Sequence, residues 1–219
     1  MPYFFAARSG ERIEITGRDA EHLARSLRAR PGERISVVEP AGRLLTVRLE
    51  TVSPGTITGV VEAEVEHHPE PQRSITMAVA MLPAPSLELV LSRGTEVGAA
   101  RFVLVNADRS ISRATGKAER WATICREAAM LAGRLVVPEV LSPRPFRTAW
   151  EQADDPWLLD RSGQPFRTAV DGATLFVGPE GGWSRAELEV AGDRVLSLGP
   201  RNLRADTAAL VALALSLAC

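Results

Sequence analysis

Phe176-Val177-Gly178-Pro179-Glu180-Gly181-Gly182-Trp183-Ser184 is the stretch on which the fold turns. An apolar run, Thr174–Val177, enters a Gly-Pro-Glu-Gly-Gly turn. Ser184-Arg185-Ala186-Glu187 then has the form of a capping box, in which a serine and a glutamate three residues later satisfy each other's backbone N–H groups at a helix start. The pattern predicts strand, loop, helix. In open α/β sheets ligands sit at the carboxyl ends of parallel strands, and glycine lets backbone approach them closely. The loop is neither a Walker loop nor G-x-G-x-x-G. It has no lysine for phosphate, and Glu180 repels one. It suits a ligand of positive or neutral character. Equally, it suits a tight structural turn with Glu180 favoured by the helix N-terminus.

Working outward, the same order recurs in Ser197-Leu198-Gly199-Pro200-Arg201-Asn202-Leu203-Arg204-Ala205-Asp206-Thr207-Ala208. A strand over Val195–Leu198 enters a glycine loop whose mouth carries two arginines around Leu203, and a helix starts near Asp206. Upstream, strands are predicted at Ser74–Leu82, Arg101–Val105, Leu135–Val140 and Trp157–Asp160. Helices are predicted from a Ser86 cap to Gly98 and over Lys117–Ala132. Strands alternating with helices imply an α/β layer with a mainly parallel sheet. The first 66 or so residues read differently, as short strands at Tyr3–Ala7, Arg12–Ile15, Arg34–Glu39, Arg43–Glu50 and Thr56–Glu66, which suggests a small barrel. One helix interrupts them, capped by Asp19, with Leu23 and Leu27 on its core face and Pro31-Gly32 as its stop. His67–Arg73 holds two prolines and reads as a linker. Two domains are therefore expected, 1–68 and 74–219.

Composition narrows the function classes. Of 219 residues, 45% are hydrophobic and 24% charged, as in an ordinary globular protein. The longest apolar run, Ala208–Cys219, has 12 residues, short of the roughly 20 that span a membrane. Being apolar nearly all round, it implies deep burial or a partner chain. The start, Met1–Phe5, lacks the basic region of a signal peptide. Two cysteines cannot build a disulfide framework, so a cytoplasmic location is expected. Three histidines and two cysteines without close spacing predict no metal site, and no G-x-S-x-G elbow is present.

Net charge is −1, and 25 of the 26 basic residues are arginine. The distribution is uneven: residues 8–48 are net +3, residues 50–70 hold five glutamates and no base, and residues 101–134 are net +4. Basic segments of this kind meet phosphates or form solvated faces. Arg25, Arg28 and Arg30 lie on or just after the predicted N-terminal helix and would make a basic ridge suited to phosphate contact. Arg109, Arg113 and Arg134 are the candidates in the second segment.

Together, Gly178-Pro179-Glu180-Gly181-Gly182 and Leu198-Gly199-Pro200-Arg201-Asn202-Leu203-Arg204-Ala205-Asp206-Thr207-Ala208 resemble the signature of the bacterial small-subunit (16S) ribosomal RNA uridine N3-methyltransferases, of the SPOUT class. His22–Arg28, Thr95–Gly98, Glu119–Trp121, Glu127–Ala129 and Gly133-Arg134 fall in the family's order. The resemblance implies a PUA-like β-barrel RNA-binding domain followed by a trefoil-knotted methyltransferase domain that works as a homodimer. It implies S-adenosylmethionine in the crevice between the two glycine loops, contacted by Gly178, Pro179, Glu180, Gly181, Gly182, Leu198, Gly199, Leu203 and Thr207. It implies ribosomal RNA, free or within the small subunit, as substrate. Arg201 and Arg204 would stabilise negative charge on the uracil oxygens. The chain departs from the family pattern at Pro83–Ser86, where a lysine-containing stretch is usual, at Met130–Ala132, at Val136, and at Asp206, where glutamate is usual. An RNA-binding paralogue with weakened catalysis, or a SPOUT enzyme acting on another RNA, are the alternatives.

Overall fold

The computed structural model describes residues 2–111, 117–166 and 171–218. The predicted RNA contact Arg113 and the last residue, Cys219, lie outside the described residues. The chain divides into two compact units, Met1–Glu70 with Ala129–Val136, and Pro71–Ala128 with Val137–Cys219. The first therefore includes an eight-residue piece from the middle of the expected 74–219 domain.

The first unit is built on one six-stranded sheet. Its strands are β1 (Phe4–Phe5), β2 (Arg8–Ser9), β3 (Arg12–Thr16), β4 (Arg34–Val38), β5 (Leu44–Val52) and β6 (Thr56–Val65). The order is β1-β4-β5-β6-β3-β2, antiparallel except for β1 on β4. Alternation explains which face is buried: Leu45, Val47 and Leu49 of β5 point into a core shared with Phe4, Ile13, Leu23 and Ile57. The outermost strands β1 and β2 are joined through Ala6-Ala7 alone, a reach of roughly 11 Å. Six flat strands would separate them by about 24 Å, so the sheet curls strongly.

The N-terminal helix differs from the expectation. The helix α1 (Gly17–Glu21) starts after Thr16, so Asp19 lies inside its first turn and is not the cap. The chain continues as a π-turn over His22–Ser26, in which the Leu27 N–H bonds the His22 carbonyl at 3.0 Å. One extra residue in the turn rotates everything after it. Leu23 is fully buried, whereas Leu27 is 40% exposed and leaves the core. Arg28 follows with φ +53°, beyond the helical turns, so Arg25 and Arg28 do not share a helix face.

The second unit holds β7 (Thr76–Ala80), α2 (Ala84–Val97), β8 (Arg101–Asn106), α3 (Ala118–Ala132), β9 (Glu139–Pro145), α4 (Phe146–Glu151), β10 (Pro156–Pro165), β11 (Thr174–Val177), α5 (Arg185–Ala191), β12 (Val195–Ser197) and α6 (Ala205–Leu217). The sheet order is β12-β10-β11-β7-β8-β9, and every pairing is parallel. Strands buried on both faces read as continuous apolar runs, as Thr174–Val177 does. Three expectations are corrected. Pro83 takes the N-cap position of α2, Pro85 sits in its first turn, where a proline has no intrahelical N–H partner to lose, and Ser86 lies buried within the helix. Leu135 and Val136 are not strand, since their N–H groups bond the Glu70 carboxylate at 2.8 and 3.2 Å. The short helix α4 was not predicted, and its Phe146 and Trp150 pack on Phe176.

β10 carries the irregularity that matters most. Leu196 of β12 is opposite both Leu159 and Gln164, so Asp160–Gly163 leave the ladder and return. A Cβ on Gly163 would fall 2.6 Å from the Val195 carbonyl, so only glycine fits where the excursion rejoins. α6 buries Ala209, Ala212 and Leu213 on one side and leaves Val211 and Leu215 37% and 46% exposed on the other.

Candidate functional site

A cleft of about 420 Å³ opens at the carboxyl ends of β11 and β12 and at Leu159–Arg161, where β10 leaves the ladder. The strand order explains it: β10 lies between β11 and β12, so the two glycine loops flank that point. All five residues of Gly178–Gly182 line the cleft, with Leu198, Gly199, Arg201, Leu203 and Arg204. Thr207 does not; its N–H and hydroxyl are both turned onto Asp206, at 2.7 and 3.2 Å. Leu159, Asp160, Arg161 and Asn202 also line the cleft and were missed. The turn-forming Asp160-Arg161-Ser162-Gly163 at the end of the predicted Trp157–Asp160 strand was the sole hint, because strand order is not written locally in a sequence.

Fixed contacts hold the first loop. Ser184 caps α5 as expected: its hydroxyl accepts the Glu187 N–H at 3.2 Å, and the Glu187 carboxylate accepts the Ser184 N–H at 2.7 Å. The segment after β8 locks onto the same box. The Asp108 N–H donates to Glu187 at 3.0 Å, and the Ser184 hydroxyl donates to Asp108 at 2.6 Å. The Trp183 indole donates to the Leu159 carbonyl at 3.1 Å, tying the loop to β10. Arg109 donates to the Gly181 carbonyl at 3.0 Å. A Cβ on Gly181 would lie 3.3 Å from the Arg109 Cβ, so a side chain there would meet Arg109 first.

The polar groups at the cleft are of both signs. Glu180 is exposed on the first loop. On the second, Arg204 donates through Nη2 to Asp206 at 3.1 Å and to the Ser86 hydroxyl at 3.4 Å. Apolar walls come from Leu159, Leu196, Leu198, Leu203 and Ala208. The backbone N–H groups of Gly181, Asn202 and Leu203 have no partner among the described residues, leaving them open to water or a ligand. No group of His, Cys, Asp and Glu able to hold a metal occurs among the described residues. None of the described helices is long and apolar enough to cross a membrane.

The predicted RNA contacts separate into distinct environments. Arg25, Arg28 and Arg30 are exposed, and their side chains have no partner among the described residues. Arg109 is exposed but engaged with the first glycine loop. Arg134 is corrected: it is 5% exposed, and its Nε and Nη2 grip Glu70 at 3.0 and 2.6 Å, so it is a buried structural residue and not an RNA contact.

Residues 68–217 match the family model described as an RNA methyltransferase domain, and residues 15–62 match an RNA methyltransferase PUA domain. The ribosomal RNA small subunit methyltransferase E of Synechocystis sp. is 30% identical over 92% of this chain and 71% of its own length. That of Bacillus subtilis is 27% identical over 97% of this chain and 94% of its own. Among solved structures, the corresponding enzyme of Neisseria gonorrhoeae, bound to S-adenosyl methionine, aligns at a TM-score of 0.90 with 27% identity, covering 98% of this chain and 95% of that one. A Legionella pneumophila protein in complex with the same cofactor shares the fold at a TM-score of 0.92 and 23% identity, over 100% of this chain and 97% of its own. With both signature loops lining one cleft and family models matching both parts of the sequence, the chain belongs to the ribosomal RNA small subunit methyltransferase E family.

Proposed function

We propose that this protein uses S-adenosylmethionine to methylate N3 of a uridine in small-subunit ribosomal RNA, in the cytoplasm and as a homodimer. The observation that carries the reading is the meeting of both glycine loops in one cleft with two acidic and three basic side chains. The cleft's volume is that of a small-ligand site. Its apolar walls suit a purine ring. Loop carbonyls and Glu180 suit the positively charged sulfur, and the open backbone N–H groups suit acceptor atoms such as the cofactor's carboxylate and ring nitrogens. Gly178–Gly182, Leu198, Gly199 and Leu203 are the residues that would hold the cofactor; Thr207, turned onto Asp206, is not among them. When bound, S-adenosylmethionine supplies a methyl group on positively charged sulfur.

The chain's own part is to orient the base and stabilise charge. The uracil imide would give its N3 proton to water as N3 takes the methyl group, and the negative charge that develops spreads to the uracil oxygens. Arg201 and Arg204 supply donors for it. Neither has a lysine's compact charge; each offers a planar fork of N–H groups. A base paired within RNA would first leave its helix. Arg25, Arg28 and Arg30, on the PUA unit, are assigned to backbone phosphate. Closure of the curled sheet into a barrel and a trefoil knot in the second unit belong to the same reading. So does pairing of two chains through α6, supported by the exposed Val211 and Leu215. A weakened paralogue is the second reading, favoured by the departures at Pro83–Ser86 and Met130–Ala132.

Calorimetry with S-adenosylmethionine, followed by transfer of labelled methyl to ribosomal RNA from a strain lacking the methyltransferase, separates these. Binding with incorporation is expected. Binding without incorporation favours the paralogue, and no binding removes the cofactor assignment. Glu180→Lys, which adds a positive charge beside the cleft, is expected to weaken cofactor binding about tenfold or more. Sedimentation at micromolar concentration tests the dimer, and a single-chain mass would contradict it.

A further inference from the structure

We infer that Asp206 is a positioning residue: it grips one edge of the Arg204 guanidinium and leaves the other edge for the substrate. The inference rests on the assignment of Arg204 to the uracil oxygens.

Arg204 immediately precedes α6, and its side chain is 76% exposed. An arginine so exposed would ordinarily sample many rotamers, and a loose donor stabilises a transition state poorly. Asp206 is the opposite kind of group. Its side chain is only 10% exposed, in the first turn of α6, where the helix N-terminus favours an acid. A buried carboxylate is costly unless its lone pairs are engaged. Here Oδ1 accepts the Thr207 N–H at 2.7 Å and the Thr207 hydroxyl at 3.2 Å, and Oδ2 accepts Arg204 Nη2 at 3.1 Å. Ser86, buried on α2, takes the second Nη2 hydrogen at 3.4 Å. Both hydrogens of Nη2 are thus engaged by groups fixed in the scaffold. Nη1 and Nε have no partner among the described residues, and Arg204 lines the cleft. The ion pair is nearly neutral overall. What it offers is therefore directed N–H donors in a set orientation, with little bulk charge to attract phosphate indiscriminately.

The test is methyl transfer to the same methyl-deficient ribosomal RNA, comparing Asp206→Asn, Asp206→Glu, Ser86→Ala and Arg204→Ala with the double variant Arg204→Ala/Asp206→Asn. Asp206→Asn is expected to lower kcat about tenfold or more, since small misplacement of a catalytic donor costs on this scale. KM for RNA and cofactor affinity should stay within about twofold of wild type, because Asp206 touches neither ligand. Asp206→Glu, which keeps the carboxylate, should recover at least half of that loss. In the Arg204→Ala background, Asp206→Asn should cost nothing further, the signature of two residues acting as one. If Asp206→Asn does not fold, Ser86→Ala carries the test, with a loss of about twofold to fivefold that likewise vanishes without Arg204. A loss that persists in the Arg204→Ala background, or full activity in a folded Asp206→Asn, overturns the inference and leaves Arg204 in place. Full activity in Arg204→Ala overturns the assignment of Arg204 itself, and the inference with it.

Discussion

In the first unit, the arginines on the sheet and those just after α1 meet different surroundings. Arg34 of β4 and Arg48 of β5 converge on Glu62 of β6, at 2.6 and 2.9 Å. Arg12 pairs with Glu50 at 3.5 Å, and Arg43 pairs with both Glu39 and Glu64. Arg134 is buried against Glu70. Arg25, Arg28 and Arg30 face solvent without partners among the described residues. Sheet pairing produces the contrast: β6 brings the acidic segment beside the basic strands. The arginines of the turn region therefore keep charge that Arg12, Arg34 and Arg48 on the strands share with carboxylates. A segment's net charge is a poor guide to its available charge.

The largest expected effect is at the buried end of this contrast. Arg134→Ala leaves Glu70 without its guanidinium partner and should destabilise the protein by about 3 kcal/mol, near the low end for a broken buried pair because Glu70 keeps some contact with water. Urea unfolding reads this, and a loss under about 1 kcal/mol would place Arg134 with the surface pairs. Next comes the exposed group. Arg25→Glu with Arg28→Glu should weaken RNA binding at least about tenfold at low salt and flatten the salt slope by about two. Arg34→Ala with Arg48→Ala should change RNA affinity less than about threefold. Equal losses in the two double variants, measured by filter binding across salt, would erase the contrast.

Ser184→Ala carries the comparison to the cleft, where hydrogen bonds fix a loop. Losing the cap should cost about 1 kcal/mol, read as a lower melting temperature, and cofactor affinity should fall because the Asp108 carboxylate loses its hydrogen bond to the loop, leaving only the Asp108 N–H on Glu187. Unchanged affinity would mean that the capping box does not hold the loop in shape. The smallest effect is at Glu62. Arg34, and then Arg48, holds its carboxyl below the usual carboxylate range. A carboxyl lowered in the folded state adds stability above its unfolded value and loses it as pH falls through the folded value. Arg34→Ala should therefore raise the Glu62 pKa in an NMR titration. The small melting-temperature gap from wild type at neutral pH should close in strong acid. A gap that widens in acid would reverse the sign.

The two glycine loops were legible because each is a local run of strand, turn and helix start, and Gly178–Gly182 with Leu198, Gly199, Arg201, Asn202 and Leu203 do line one cleft. The third wall was not. Asp160 and Arg161 reach the cleft only because β10 sits between β11 and β12, a non-local fact of sheet order. The π-turn at His22–Ser26 escaped for a different reason: an i,i+4 spacing of leucines looks the same whether or not one residue is added to the turn. Arginine pairing was equally hidden, since Glu62 lies 28 and 14 residues from its two partners. Thr207 failed as a cleft residue because a nearer acceptor, Asp206, takes its hydroxyl.

The most direct measurement is the identity of the methylated nucleoside. Ribosomal RNA from a strain lacking the methyltransferase would be incubated with this protein and S-adenosylmethionine, digested to nucleosides and resolved by chromatography with mass spectrometry. N3-methyluridine appearing with the wild-type protein, and falling at least about tenfold with Arg204→Ala, is the expected result. Methyl incorporated at a different nucleoside, or none in a protein that binds the cofactor, would contradict the assignment.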